Sequence, residues 1–247
     1  MKRIENDGLV WYESEELTNL GVKHGFFTRY GGVSANEFES LNVKLGIGDE
    51  ENKVLQNREL IKNTLQTKVI AFSNHLPHKS DMQWIEEPLA NDPVTDALAT
   101  SVSGLAIGLS VADCLPIIIS DGKVAAIIHA GWRGTVARIV EKTIRILFKE
   151  HDLDLNNTVA ACGPCICKDH FEVNGEAAQQ LSELAGESLK GEAYNADILA
   201  LNITQLKKSG INNIESLGIC SYESDEFYSF RQSGGKTGRN MAIALLS

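Results

Sequence analysis

The chain of 247 residues carries 33 acidic and 23 basic side chains, a formal charge of −10, and 43% hydrophobic residues. That length suits one domain spanning 1–247, and that charge excludes a broad basic face for nucleic acid or for an anionic membrane. No apolar run reaches the roughly 18 residues that cross a bilayer, and the opening MKRIENDGLVWYE lacks a secretory apolar stretch, so the expected compartment is the cytoplasm.

In chain order, residues 24–34 (HGFFTRYGGVS) read as a strand that ends in a glycine turn at Gly31 and Gly32. Residues 51–65 predict a helix with Val54, Leu55, Ile61 and Leu65 on one side. The apolar runs 104–112 and 123–128 read as buried strands, each leading into a polar turn. After HAGWRGT comes an amphipathic helix whose inward set is Val136, Ile139, Val140, Ile144, Leu147 and Phe148, with Thr135 as its N-cap. A strand at 157–162 and helices near 175–186 and 197–209 follow, the latter with Leu199, Ile203 and Leu206 inward and Gly210 as its stop. Residues 214–221, 226–231 and the closing MAIALL read as late strands. Helices and strands mix without strict alternation, so the expected fold is a compact α/β or α+β domain built on a mixed sheet.

Chemistry concentrates where the two central strands end. Cys114 follows one and His129 the other, so neighbouring strands would bring a thiol and an imidazole to one rim. Such a pair serves either as an activated nucleophile or as two metal ligands, and a catalytic zinc needs a third ligand, for which His75 and His78 are the candidates. Cys162-Gly-Pro-Cys165-Ile-Cys167 with His170 behind it has the spacing of a dithiol redox tetrad or a zinc knot, but neither the following helix nor a second paired motif accompanies it. Arg29, Arg133 and Arg231, each beside glycines, form candidate anion-binding turns, with Lys236 and Arg239 closing the last loop.

Taken together, HGFFTRYGGVS, SLNVKLGIGDE with Asn57-Arg58, VADCLPIII, HAGWRGT, GPCI with FEV, and FYSFRQSGGKTGR resemble the YfiH or DUF152 family. That family is also called multicopper polyphenol oxidoreductase (laccase-like) and is related to the mammalian FAMIN enzyme of purine metabolism. The blocks run in order from about residue 20 to 245. The resemblance implies a single-domain α/β sandwich with a zinc, or copper, site made by two histidines and one cysteine. Cys114 and His129 match two of those ligands and His78 the third, with His75 as the fallback, because Leu76-Pro77 and Lys79 replace the usual Gln-Val and Gly around that histidine. Arg29 and Asn42 match positions that line the pocket, and Arg231 matches the first of two arginines, the second being Gln232 here.

Two activities attach to the family. One is phosphorolysis of adenosine, inosine, guanosine and methylthioadenosine together with deamination of adenosine, which makes nucleosides and phosphate the expected small-molecule partners. The other is copper-dependent oxidation of phenols. Six histidines are too few for a multicopper centre, and one His₂Cys zinc suits purine chemistry, so the first reading is preferred. A role in peptidoglycan editing, as a metal-stabilised module for cell-wall precursors, is the non-enzymatic alternative.

Overall fold

In the computed structural model, which describes residues 1–89 and 91–247, two six-stranded sheets lie face to face. The elements in chain order are β1 (Lys2–Asn6), β2 (Leu9–Glu13), α1 (Glu15–Asn19), β3 (Val22–Phe27), α2 (Glu51–Leu65), β4 (Val69–Ser73), β5 (Met82–Trp84), β6 (Ala97–Thr100) and β7 (Leu105–Val111). They continue as β8 (Leu115–Ser120), β9 (Ala125–Ala130), α3 (Trp132–Val136), α4 (Ile139–Glu150), β10 (Val159–Cys162), β11 (Glu172–Asn174), α5 (Gly175–Ala185), β12 (Ala193–Asn195), α6 (Ile198–Lys208), β13 (Asn213–Ser216) and β14 (Asn240–Leu246). The first sheet has the order β1-β2-β3-β14-β7-β4 and the second β13-β10-β8-β9-β6-β5, while β11 and β12, with α5 between them in the chain, form a separate two-stranded antiparallel sheet. Pairs β4–β7, β5–β6 and β10–β13 are parallel and the others antiparallel, which makes this the expected α/β fold with mixed sheets.

The central strands read as unbroken apolar runs because both of their faces are covered. Along β14, Ala242, Ala244 and Leu246 face the space between the sheets, while Met241, Ile243 and Leu245 pack with Ile61 and Leu65 of α2. Along β9, Ala125 and Ile127 point between the sheets, while Ala126, Ile128 and Ala130 meet Val140, Ile144 and Leu147 of α4 and Leu206 of α6. Side chains alternate with period two, so His129 shares the face of Ala125 and Ile127 and points toward the open end between the layers.

Several sequence expectations are corrected. The two central runs are not neighbours: β7 belongs to the first sheet and β9 to the second, and β8, which follows Cys114, is the strand that pairs with β9. Thr135 is not an N-cap; it lies buried in α3, and the chain breaks at Arg138, whose left-handed φ of 59° separates α3 from α4. Leu55 and Phe148 are each 54% exposed, at the edges of their helical stripes. Residues 226–231 form no strand. Tyr228 is buried there, donating from its hydroxyl to the carbonyl of Phe38 at 2.7 Å, and the Asn240 amide side chain takes its backbone N–H and C=O in place of a neighbouring strand. Among the described residues no helix is long and apolar enough to cross a membrane.

Candidate metal centre

Three segments converge at one end of the sandwich. The turn Ala112–Cys114 carries the chain from β7 in the first sheet to β8 in the second, and Asp113 adopts a φ of +84° to make that crossing. Antiparallel pairing sets Leu115 opposite Ala130, so Cys114 comes to the rim where β9 ends and His129 emerges. The segment between β4 and β5 makes a second crossing between the sheets and brings His78. One nitrogen of His78, the sulfur of Cys114 and one nitrogen of His129 all lie within 4.8 Å of one another. His75 bridges to Val94 instead and is not part of the group.

A buried acid organises this group. The Asp96 carboxylate accepts from the His129 Nδ1–H at 2.9 Å and from the backbone N–H groups of His78 at 3.1 Å and Lys79 at 2.6 Å. Burial would raise its pKa, but these donors hold the carboxyl below the usual range. Committing Nδ1 leaves Nε2 of His129 free to act as a ligand, the second-sphere arrangement common around metal-bound histidines. Burial alone would lower the His129 pKa, but the neighbouring Cys114 and Asp96 raise it to about 9. His78 goes the other way: desolvation first, and then the charge of His129, lowers it to about 4.

The space between the three side chains is kept open by Gly131. A Cβ there would stand 3.1 Å from Cys114 Sγ, 3.4 Å from His78 Nδ1 and 3.5 Å from His129 Cε1. A soft sulfur and two imidazoles around that gap, with a carboxylate behind one ring, fit a transition-metal ion.

The group opens into a cavity of about 300 Å³ lined by Trp132, Phe171 and Phe230 and by the cations Lys44, Arg231 and Arg239. Asp113 braces this wall: its two carboxylate oxygens accept from Ser221 Oγ and from the backbone N–H of Arg231, both at 2.7 Å. Lys44 is half-buried, and burial, with Arg239 and Arg58 nearby, lowers its pKa.

Of the predicted anion-binding residues, Arg231 lines the cavity, while Arg29, Asn42 and Arg133 are not among the lining residues. Arg29 lies 4.8 Å over the Tyr228 ring and donates to the Glu39 carbonyl. Asn42 is fully buried, and its Oδ1 accepts from the backbone N–H groups of Lys44 at 3.1 Å and Arg239 at 3.0 Å. It therefore anchors the two segments that carry cavity cations. Arg133 packs over Trp132, and Lys236 pairs with Glu37. Lys44, Asp96 and Trp132 are site residues that the sequence did not single out. Lys44 lies inside a block already quoted, SLNVKLGIGDE, whereas Asp96 had only its position before an apolar run.

The cysteine cluster divides. Cys162 and Cys165 are 0% and 5% exposed within the apolar core, and burial raises the Cys162 thiol to about 12 and Cys165 well above its ordinary value. Such thiols stay protonated, which removes the basis for a redox tetrad and for a zinc knot built on 162, 165, 167 and His170.

The family model described as multi-copper polyphenol oxidoreductase laccase matches residues 23–247. The chain belongs to this family. Among its relatives, a purine nucleoside phosphorylase of Deinococcus radiodurans is 32% identical over 91% of this chain and 89% of its own length. A protein named adenosine deaminase RL5, from an unknown prokaryotic organism, is 32% identical over 96% of this chain and 97% of its own. The crystal structure of YlmD from Geobacillus stearothermophilus superposes with a TM-score of 0.88 at 25% identity, covering 98% of this chain and 97% of that one.

Proposed function

We propose that this chain is a zinc-dependent purine nucleoside enzyme of the cytoplasm. It cleaves adenosine, inosine, guanosine and methylthioadenosine with phosphate to the free base and the sugar 1-phosphate, and it also deaminates adenosine hydrolytically. One observation carries the reading: a single cavity combines a His₂Cys group, aromatic walls and three cations. Its relatives' names, purine nucleoside phosphorylase and adenosine deaminase, point the same way.

His78, Cys114 and His129 would hold the ion, and when bound it supplies Lewis acidity in the cavity. Asp96 keeps His129 in the ligating tautomer. Trp132, Phe171 and Phe230 offer flat apolar surface to a purine. The Arg231 guanidinium spends two of its N–H groups on the carbonyls of His170 and Glu172, which fixes its plane and leaves donors for a phosphate oxygen. An anion placed against Arg239 and Lys44 also relieves the repulsion that Lys44 meets from Arg239.

The histidine inventory works against a multicopper oxidase. His24 has both ring nitrogens engaged in the core, His151 stacks on Trp84 at 3.5 Å, His170 lies in a different cluster and His75 is outside the group. Two histidines remain at the cavity.

Incubation of the zinc-loaded protein with adenosine and phosphate is expected to yield adenine, ribose 1-phosphate and inosine by chromatography. Cys114→Ala is expected to lower turnover by about 100-fold or more, in line with loss of a catalytic metal ligand. Absence of all three products, or full turnover in the variant, sinks the reading.

A further inference from the structure

Away from the cavity chemistry, four other donor atoms converge. We propose that Cys167, His170, Cys220 and Glu223 form a second metal site, a structural one for a divalent cation of the zinc class, that staples the loop after β10 to the loop after β13. One ligand atom from each of the four lies within 4.8 Å of every other. Cys167 Sγ stands 3.3 Å from His170 Nδ1, that nitrogen stands 3.5 Å from Glu223 Oε1, and the two sulfurs face each other at 2.6 Å.

Local structure explains the convergence. Cys167-x-x-His170 spans a 3₁₀ turn, in which side chains three apart eclipse, so thiol and imidazole project together. Cys220-x-x-Glu223 repeats the spacing on a turn closed by the Ser224 N–H to the Cys220 carbonyl at 3.1 Å. The isolated bridge between Cys165 and Cys220, with the Ser221 N–H donating to the Cys165 carbonyl, brings the two turns side by side. Two short paired motifs on separate loops are the usual grammar of structural zinc.

The donor chemistry fits as well. Zinc–ligand bonds of about 2.0–2.3 Å set tetrahedral donors about 3.3–3.8 Å apart, a range that the sulfur–nitrogen and nitrogen–oxygen separations match. Entry of the ion spreads the sulfurs by about 1 Å, releases both thiol protons to solvent and sets the cation against two thiolates and a carboxylate, which leaves the site with one net negative charge. A disulfide would use the sulfurs alone and give the imidazole and carboxylate no part. Cys167, His170 and Cys220 are half-buried and Glu223 is exposed, so the ion has an entry path. The staple would also firm the cavity wall, since the His170 carbonyl accepts from Arg231 and Ser221 bonds Asp113.

The test is metal counting on protein purified with zinc under reducing conditions. Two ions per chain are expected in the unaltered protein and one in either Cys220→Ser or Cys114→Ser. Cobalt loading of Cys114→Ser should still give thiolate-to-cobalt charge-transfer absorption. A single ion in the unaltered protein that Cys114→Ser removes and Cys220→Ser leaves in place overturns the proposal. So does a zinc count of two that Cys220→Ser leaves unchanged, or mass spectrometry showing Cys167 and Cys220 joined in a disulfide in the reduced preparation.

Discussion

Single residues at this site act mainly through their neighbours. Asp96 is not among the residues lining the cavity, yet it fixes the tautomer of His129 and pins the backbone beside His78. Asp96→Asn keeps the shape but turns an NH₂ toward one of those donors. Zinc affinity is expected to fall about 10–100-fold, read by competition with a chelator of known affinity, while the fold remains. An unchanged affinity would show that His129 needs no such support. Asn42 makes the same point for placement: motif position marked it for the pocket, whereas its buried amide ties down the segments of Lys44 and Arg239. A motif records that a residue type is required at a position, without saying whether it meets the ligand or the residue that does.

At the scale of the element, the periodicity of α4 located the helix but not the edge of its buried stripe. Leu147 is 0% exposed and Phe148 54% exposed, although both follow the apolar spacing. Leu147→Ala is expected to cost about 2–5 kcal/mol of stability and Phe148→Ala less than about 0.5 kcal/mol, measured by urea unfolding. Similar losses at both positions would place Phe148 in an interface. The strand expected at 226–231 shows a related limit. An aromatic-rich segment reads as a strand, but here the buried Tyr228 anchors a loop to Phe38 and Asn240, and only long-range packing separates the two cases.

For the whole molecule, acid stability should reflect how the first sheet joins its neighbours. His24 in β3 is 1% exposed; its Nε2 accepts from the Ser14 N–H at 2.7 Å and its Nδ1–H donates to the Val22 carbonyl. Desolvation lowers its pKa below the ordinary 6.5, against smaller upward effects of Val22, Glu13 and Glu215. A lowered folded-state pKa means that the unfolded chain binds the proton first. The contribution of neutral His24 is therefore complete above pH about 6.5 and is lost toward its lower folded pKa, with a slope of up to about 1.4 kcal/mol per pH unit. Denaturant unfolding at pH 7.5 and 5.5 should show that loss, and His24→Gln should flatten it. An equally steep dependence in the variant would assign it to other groups.

Much of this protein is legible from its sequence. Unbroken apolar runs marked the strands that the two sheets bury on both faces, and the same runs placed Cys114 and His129 at strand ends, because side-chain period and strand length are local properties. The family blocks were also readable in order. What the sequence left open depended on how the chain crosses space. The crossing after β4 decides that His78 and not His75 joins Cys114 and His129 in the candidate group. The turn through Ala112–Cys114 decides that thiol and imidazole meet through β8, and the bridge from Cys165 to Cys220 decides that Cys167 meets Cys220, 53 residues away, while Cys162 and Cys165 stay in the core. Ligation needs atoms within a few ångströms, and for residues far apart in the chain only the packed sheets set that distance.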